Sequence, residues 1–153
     1  MEKYSSKNFR HLVRIYSTDL PGDLKTRIAL TRIMGISHRT SGAILRAVGV
    51  DEDLRVGYLT SDMVEKIEEA MADLVATGIP EWMLNRQKDP ETGESTQLLE
   101  SDLLLQHRTD IDRMIRKRTW RGIRHSRGLK VRGQRTKSTG RKSGSMGVAR
   151  KKE

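Results

Sequence analysis

A chain of 153 residues with a formal net charge of +10, 35% hydrophobic and 4% aromatic residues has room for one modest aliphatic core. With no cysteine, disulfides, thiolate metal sites and a cysteine nucleophile are excluded. No apolar run approaches the roughly 20 residues of a membrane span, and MEKYSSKNFRHLVRIY lacks a signal peptide's apolar stretch, so the expectation is a cytoplasmic protein with no membrane partner.

Residues 1–10 read as a flexible polar segment. HLVRIY (His11–Tyr16) alternates and favours a strand or an extended arm. Pro21–Gly22 in DLPGD is a turn signal. In LKTRIALTRIMG, Leu24, Ile28, Leu30 or Thr31, and Met34 recur near helical spacing, with Gly35 placed to end the helix. ISHRTSGAILRAVGV repeats the plan, with Ser37 as N-cap, an apolar face of Ala43, Ile44, Ala47 and Val48, and Gly49 as the stop.

YLTSDMVEKIEEAMADLVATG predicts the clearest helix. Thr60 is its N-cap, and Leu59 with Val64 has the spacing of a hydrophobic staple. Val64, Ile67, Met71, Leu74 and Val75 form the stripe, and Asp62, Glu65, Glu68, Glu69 and Asp73 make the opposite face acidic. Ile79–Ser95 reads as a short helical turn and a loop, with Trp82 as a packed anchor. TQLLESDLLLQHRTDIDRMIRKR predicts a second long helix through Leu99, Leu103, Ile111, Met114 and Ile115, acidic at its start and basic at its end, as the helix dipole favours. After about Thr119, Gly and Arg break all periodicity. The expected organisation is a flexible segment at 1–10, a helical globular domain at 11–118 and an extended basic tail at 119–153.

Charge is distributed unevenly. Residues 1–50 carry a net +6, residues 51–112 a net −11, and residues 113–153 a net +15. Basic ends of this strength call for a polyanionic partner, while the acidic middle must face something else. Sixteen cations among the last forty-one residues repel one another unless neutralised. Arg offers a planar fork to phosphate oxygens and can stack on unpaired bases, and Trp120 and His125 add stacking surfaces.

Catalytic readings find little support. His11, His38, His107 and His125 show no metal-binding spacing, and the central carboxylates fall at helical spacing on a solvated face. Gly128 and Gly133 are spaced as in a phosphate-binding loop, but Gln134 stands where that loop needs Lys. The turn MGISHRTSG admits two readings. It is a plain helix–turn–helix packing unit, or a phosphate site at a helix N-terminus surrounded by Lys25, Arg32, His38 and Arg39.

Two segments carry a specific resemblance. DLPGDLKTRIALTRIMGIS, and above all RHSRGLKVRGQRTKSTGR, resemble the ribosomal protein S13 (uS13) family of the small subunit. IPEWMLNRQKDPETG resembles a segment of its archaeal and eukaryotic members, the latter called S18. The resemblance runs over roughly residues 10–150 and is strongest for the archaeal type. It implies a mainly α fold: a small helical domain with a helix–two-turn–helix unit, a long helix and an extended basic C-terminal tail. It also implies a non-enzymatic constituent of the subunit head, with no cofactor. The implied partners are rRNA, ribosomal protein S19, large-subunit protein L5 across an intersubunit bridge, and peptidyl-site tRNA.

Carried onto this chain, the rRNA contacts fall on Lys25, Arg32, His38 and Arg39, and on Arg121, Arg124, His125, Arg127, Lys130, Arg132, Arg135, Lys137, Arg141 and Lys142. Arg150, Lys151 and Lys152 fall nearest tRNA. The acidic middle is then expected to point away from rRNA, toward protein or solvent. Two other classes compete. DNA glycosylases share the helix–two-turn–helix unit, but often carry a Cys-based zinc finger and a β-rich domain that this chain has no room for. A free nucleic-acid chaperone is demoted only by the tail signature.

Overall fold

The computed structural model describes residues 9–137. They are mainly helical, with one two-stranded sheet. The chain divides into two compact units between Leu104 and Leu105.

The first unit opens with strands β1 (Leu12–Ile15) and β2 (Thr18–Pro21), paired antiparallel with Val13 opposite Leu20 and Ile15 opposite Thr18. Alternation sends Val13, Ile15 and Leu20 into the core. The expected strand at 11–16 is present. Its partner was hidden by Pro21–Gly22, since the chain actually reverses at Tyr16–Ser17, with Tyr16 at φ +58°. The Glu68 carboxylate accepts the Tyr16 N–H at 2.6 Å and steadies that turn.

Helix α1 spans only Thr26–Leu30, and α2 spans His38–Val48. Between them the chain turns through bonds such as Arg32 N–H to Ala29 C=O and Ile33 N–H to Leu30 C=O, each reaching back three residues. A three-residue repeat puts Leu30, Ile33 and Ile36 inside and leaves Ile28 and Met34 exposed. The expected stripe through Ile28 and Met34 is therefore corrected. Helix α2 begins as read: the Ser37 side chain accepts the Thr40 N–H, and Gly49 ends it at φ +77°. Ile44 and Leu45 are its buried residues, while Ala47 is exposed.

Gly35 has φ +101°, and a Cβ there would stand 2.4 Å from the Leu98 carbonyl oxygen. The turn is clasped from the far side by Gln97, whose amide donates to the Gly35 carbonyl at 2.6 Å. Asn85 exchanges two hydrogen bonds with the Leu98 main chain, at 2.7 and 2.9 Å.

Helix α3 (Ser61–Ala72) is capped by Thr60, whose side chain accepts the Met63 N–H. Leu59 is buried and Val64 packs on the core, as a staple requires. Ile67, Met71 and Leu74 face inward, and Val75 lies outside the helix and is exposed. Helices α1, α2 and α3 and the hairpin enclose one aliphatic core. Trp82 is 74% exposed, against its expected role as a packed anchor. It sits in a 3-10 turn, Glu81–Met83, flanked by the buried Ile79 and Leu84 that do the packing.

Helix α4 runs from Glu100 to Arg116 and contains no fully buried residue. In the second unit it is followed by α5 (Trp120–Ser126), where an extended tail was expected. The chain leaves α4 through Arg118 at φ +50°, with the Thr119 N–H bonded to Met114 C=O. The Thr119 hydroxyl then accepts the Gly122 N–H at 3.1 Å and caps α5. Thr119 thus ends one helix and starts the next. Gly122 permits the close approach, since a Cβ there would lie 2.2 Å from the Met114 carbonyl oxygen. Helix α5 closes at Gly128 (φ +62°), with Gly128 N–H bonded to His125 C=O and Leu129 N–H to Arg124 C=O.

Candidate nucleic-acid interface

Two groups of cations stand out. The first lies around the α1–α2 turn. Arg32, His38 and Arg39 are exposed and, among the described residues, carry no ion pair. Lys25 differs: it lies 2.7 Å from Asp53, and that bond, followed by the charge of Lys25 itself, holds the Asp53 carboxyl below the usual carboxylate range. Glu52 similarly bridges Arg27 at 2.7 Å and Arg46 at 2.9 Å. The acidic loop 51–53 therefore neutralises three of the cations around α1 and α2. The Ser37 hydroxyl already occupies one donor at the α2 N-terminus.

The second group is denser. The C-terminal half of α4, helix α5 and the segment 130–134 surround a concavity of about 570 Å³. Of the sequence-predicted residues it brings together Arg121, His125, Lys130 and Arg132. It adds His107 and Arg113, which the sequence reading passed over, and Gln134. In the sequence, Arg113 is only part of the basic end of a helix. What places it in the groove is the fold-back of α5 on α4. The single acidic lining residue, Asp110, is paired with Arg113 at 2.7 Å.

The remaining predicted residues lie nearby or beyond. Arg124 does not line the concavity. Its guanidinium sits 5.7 Å from the centre of the Trp120 ring and donates to the Lys130 carbonyl at 2.9 Å, bracing α5 against the segment that follows. Trp120 itself is 72% exposed. Arg127 is the C-cap of α5 and, with Arg135 and Lys137, is exposed. Arg141, Lys142, Arg150, Lys151 and Lys152 lie outside the described residues, as do residues 1–8.

Among the described residues no group of three or more His, Asp or Glu side chains is placed to hold a metal ion, and no helix is long and apolar enough to cross a membrane. The sequence holds no acidic residue between Asp112 and Glu153. Phosphate groups would meet only positive charge along that length.

The cationic helical hairpin is the candidate nucleic-acid interface. The comparisons give the family. The model for "Ribosomal protein S13/S18" matches residues 14–142. A protein of Hyperthermus butylicus named small ribosomal subunit protein uS13 is 49% identical over 149 residues, covering 97% of this chain and 99% of its own. Proteins of the same name from Saccharolobus solfataricus and Methanococcoides burtonii are each 46% identical, over 96% and 97% of this chain and 89% and 99% of their own lengths. The chain belongs to the ribosomal protein S13/S18 family.

Proposed function

We propose that the chain is a non-enzymatic constituent of the small ribosomal subunit, acting in the cytoplasm, and that it holds rRNA in the subunit head. The observation that carries this reading is the groove lined by Arg113, Arg121, Lys130 and Arg132, with an acid-free sequence running on from it. Helix α4 carries Arg113 and helix α5 carries Arg121, so two of these cations sit on regular helices. The exposed Arg32, His38 and Arg39 form a second contact with the same rRNA. Lys25 joins them only by exchanging Asp53 for a phosphate. Arg124 contributes by holding the Trp120 face and the Lys130 backbone in place.

By family resemblance, Arg141 and Lys142 continue the rRNA contact, and Arg150, Lys151 and Lys152 approach peptidyl-site tRNA. The same resemblance supports S19 as a neighbour and L5 as the partner in an intersubunit bridge. The exposed carboxylates of α3, Asp62, Glu65 and Glu69, suit a protein surface better than RNA. In domain terms, a helical body holds the fold and supplies the smaller contact, while the end of α4 and the residues after 118 supply the main RNA contact.

The test is filter binding of the purified chain to a head-domain fragment of small-subunit rRNA across a salt series. If about eight cations neutralise phosphates, log K falls against log[salt] with a slope between about −6 and −7. Removing residues 120–153 should abolish most of the affinity. The helical circular dichroism should then fall only by the contribution of α5. A salt-independent affinity, or one that survives the truncation, would refute this reading.

A further inference from the structure

The groove of the second unit is not uniformly cationic. Its rim and floor differ in chemistry, and that difference points to a particular ligand. On the rim Arg121, Lys130 and Arg132 are exposed. Along the floor Ile111, Met114 and Val131 are half-buried and apolar. A surface built only to follow a phosphate backbone has no use for an apolar floor, which loses free energy while it faces water. Asp110 sharpens the division. It lines the groove as half of an ion pair with Arg113, so the pair adds no net charge to draw a phosphate, and, among the described residues, the uncompensated cations of the lining are Arg121, Lys130 and Arg132.

Size points the same way. A volume of about 570 Å³ lies within the range of roughly 300–1,000 Å³ typical of pockets that enclose small-molecule-sized ligands. That is the scale of a nucleotide, not of a duplex. His107 and His125 border the groove and offer flat faces of the kind on which bases stack.

We infer that this groove takes a single unstacked nucleotide of RNA. Its base lies on Ile111, Met114 and Val131, and its flanking phosphates lie on Arg121, Lys130 and Arg132. The inference rests on the reading that the chain binds rRNA and deepens it: the hairpin recognises a bulged or looped position, not helical RNA in general. No bond is made or broken.

The experiment compares two RNA hairpins of equal length, one fully paired and one carrying a single bulged 4-thiouridine, for binding to the full chain. The bulged hairpin is expected to bind about tenfold more tightly, the gain from burying one base face against apolar side chains. On irradiation, its crosslink is expected between His107 and Gln134. Replacing the floor by Ile111→Ser with Val131→Ser should erase the preference for the bulged hairpin. Lys130→Ala with Arg132→Ala should weaken both. Circular dichroism of each variant confirms that it is folded. Equal affinity of the unaltered chain for the two hairpins would overturn the nucleotide site and leave RNA binding intact. A crosslink outside the groove, or a preference that survives in the folded floor variant, would overturn it too. Binding to neither hairpin would overturn the rRNA reading as well.

Discussion

Glu100 and Met34 are joined by a pair of hydrogen bonds: the Glu100 N–H donates to the Met34 carbonyl at 3.0 Å, and the Glu100 carboxylate accepts the Met34 N–H at 3.2 Å. The same carboxylate oxygen accepts the Thr18 hydroxyl at 2.5 Å. One side chain at the start of α4 therefore ties together the hairpin and the turn after α1. Glu100→Ala leaves the Met34 and Thr18 donors without this partner and should cost about 1–2 kcal/mol of stability. Urea unfolding measures it. A variant with the parent's midpoint and slope would show that water replaces the carboxylate at no cost.

Gly35 is held at φ +101° with the Leu98 carbonyl oxygen where a Cβ would go. Gly35→Val combines a backbone conformation hostile to a β-branched residue with a direct overlap, and should cost about 2–4 kcal/mol. The Gln97 clasp on the Gly35 carbonyl should open with it. Thermal unfolding followed at 222 nm tests the first part, and the Gln97 side-chain amide resonance in an NMR spectrum tests the second. A stable variant with an unmoved resonance would mean that the turn yields easily.

The local signals that held in this first unit are the capping residues. Ser37, Thr60 and Gly49 each act on their own helix end, so their roles depend on a few neighbouring residues. The inward face of α1 was not legible. Helical spacing pairs Ile28 with Met34 on one face only if the helix continues, and it ends at Leu30 in favour of turns with a three-residue repeat. Helix α5 was missed because it has no apolar periodicity. Its caps were present in the sequence all the same: Thr119 before it and Gly128 after it. The cations of the candidate site were legible from composition. That His107 and Arg113 join Arg121, His125, Lys130 and Arg132 was not, since it depends on the chain turning back at Arg118.

That turning back can be tested at Gly122. Gly122→Ala drives a methyl group into the Met114 carbonyl, so α5 must shift from the end of α4. Overpacking of this kind should cost about 1–3 kcal/mol, confined to the second unit. Amide hydrogen exchange should quicken at Thr119 and Ile123 and stay unchanged at Ile44 and Ile67. Equal exchange at all four would show that the hairpin tolerates the added carbon.

The Lys25–Asp53 pair gives a pH signature. Asp53 titrates below the ordinary carboxylate range because Lys25 donates to it and carries the opposite charge. A carboxylate favoured by the fold contributes stability above its unfolded pKa, and that contribution is lost as the pH falls through the lower folded value. Both groups are exposed, so the effect on unfolding is small. The titration itself is the better observable. Side-chain carboxyl NMR should place the Asp53 midpoint below the usual range, and Lys25→Met should return it upward. An unchanged midpoint in that variant would assign the shift to another cation. Saturating rRNA should have the same effect as Lys25→Met if Lys25 changes partners on binding.

Thr119 serves two helices at once, and the consequence is kinetic. The stretch from Thr119 to Leu129 is already fixed by the bonds to Met114, Gly122, His125 and Arg124. Ordering a backbone costs about 1–2 kcal/mol per residue, and for this stretch that cost is met when the chain folds, before any RNA arrives. On the proposed reading, its meeting with RNA is expected to be a rigid-body docking. The association rate should then follow ionic strength through long-range attraction, with no slow step for building the hairpin on the nucleic acid.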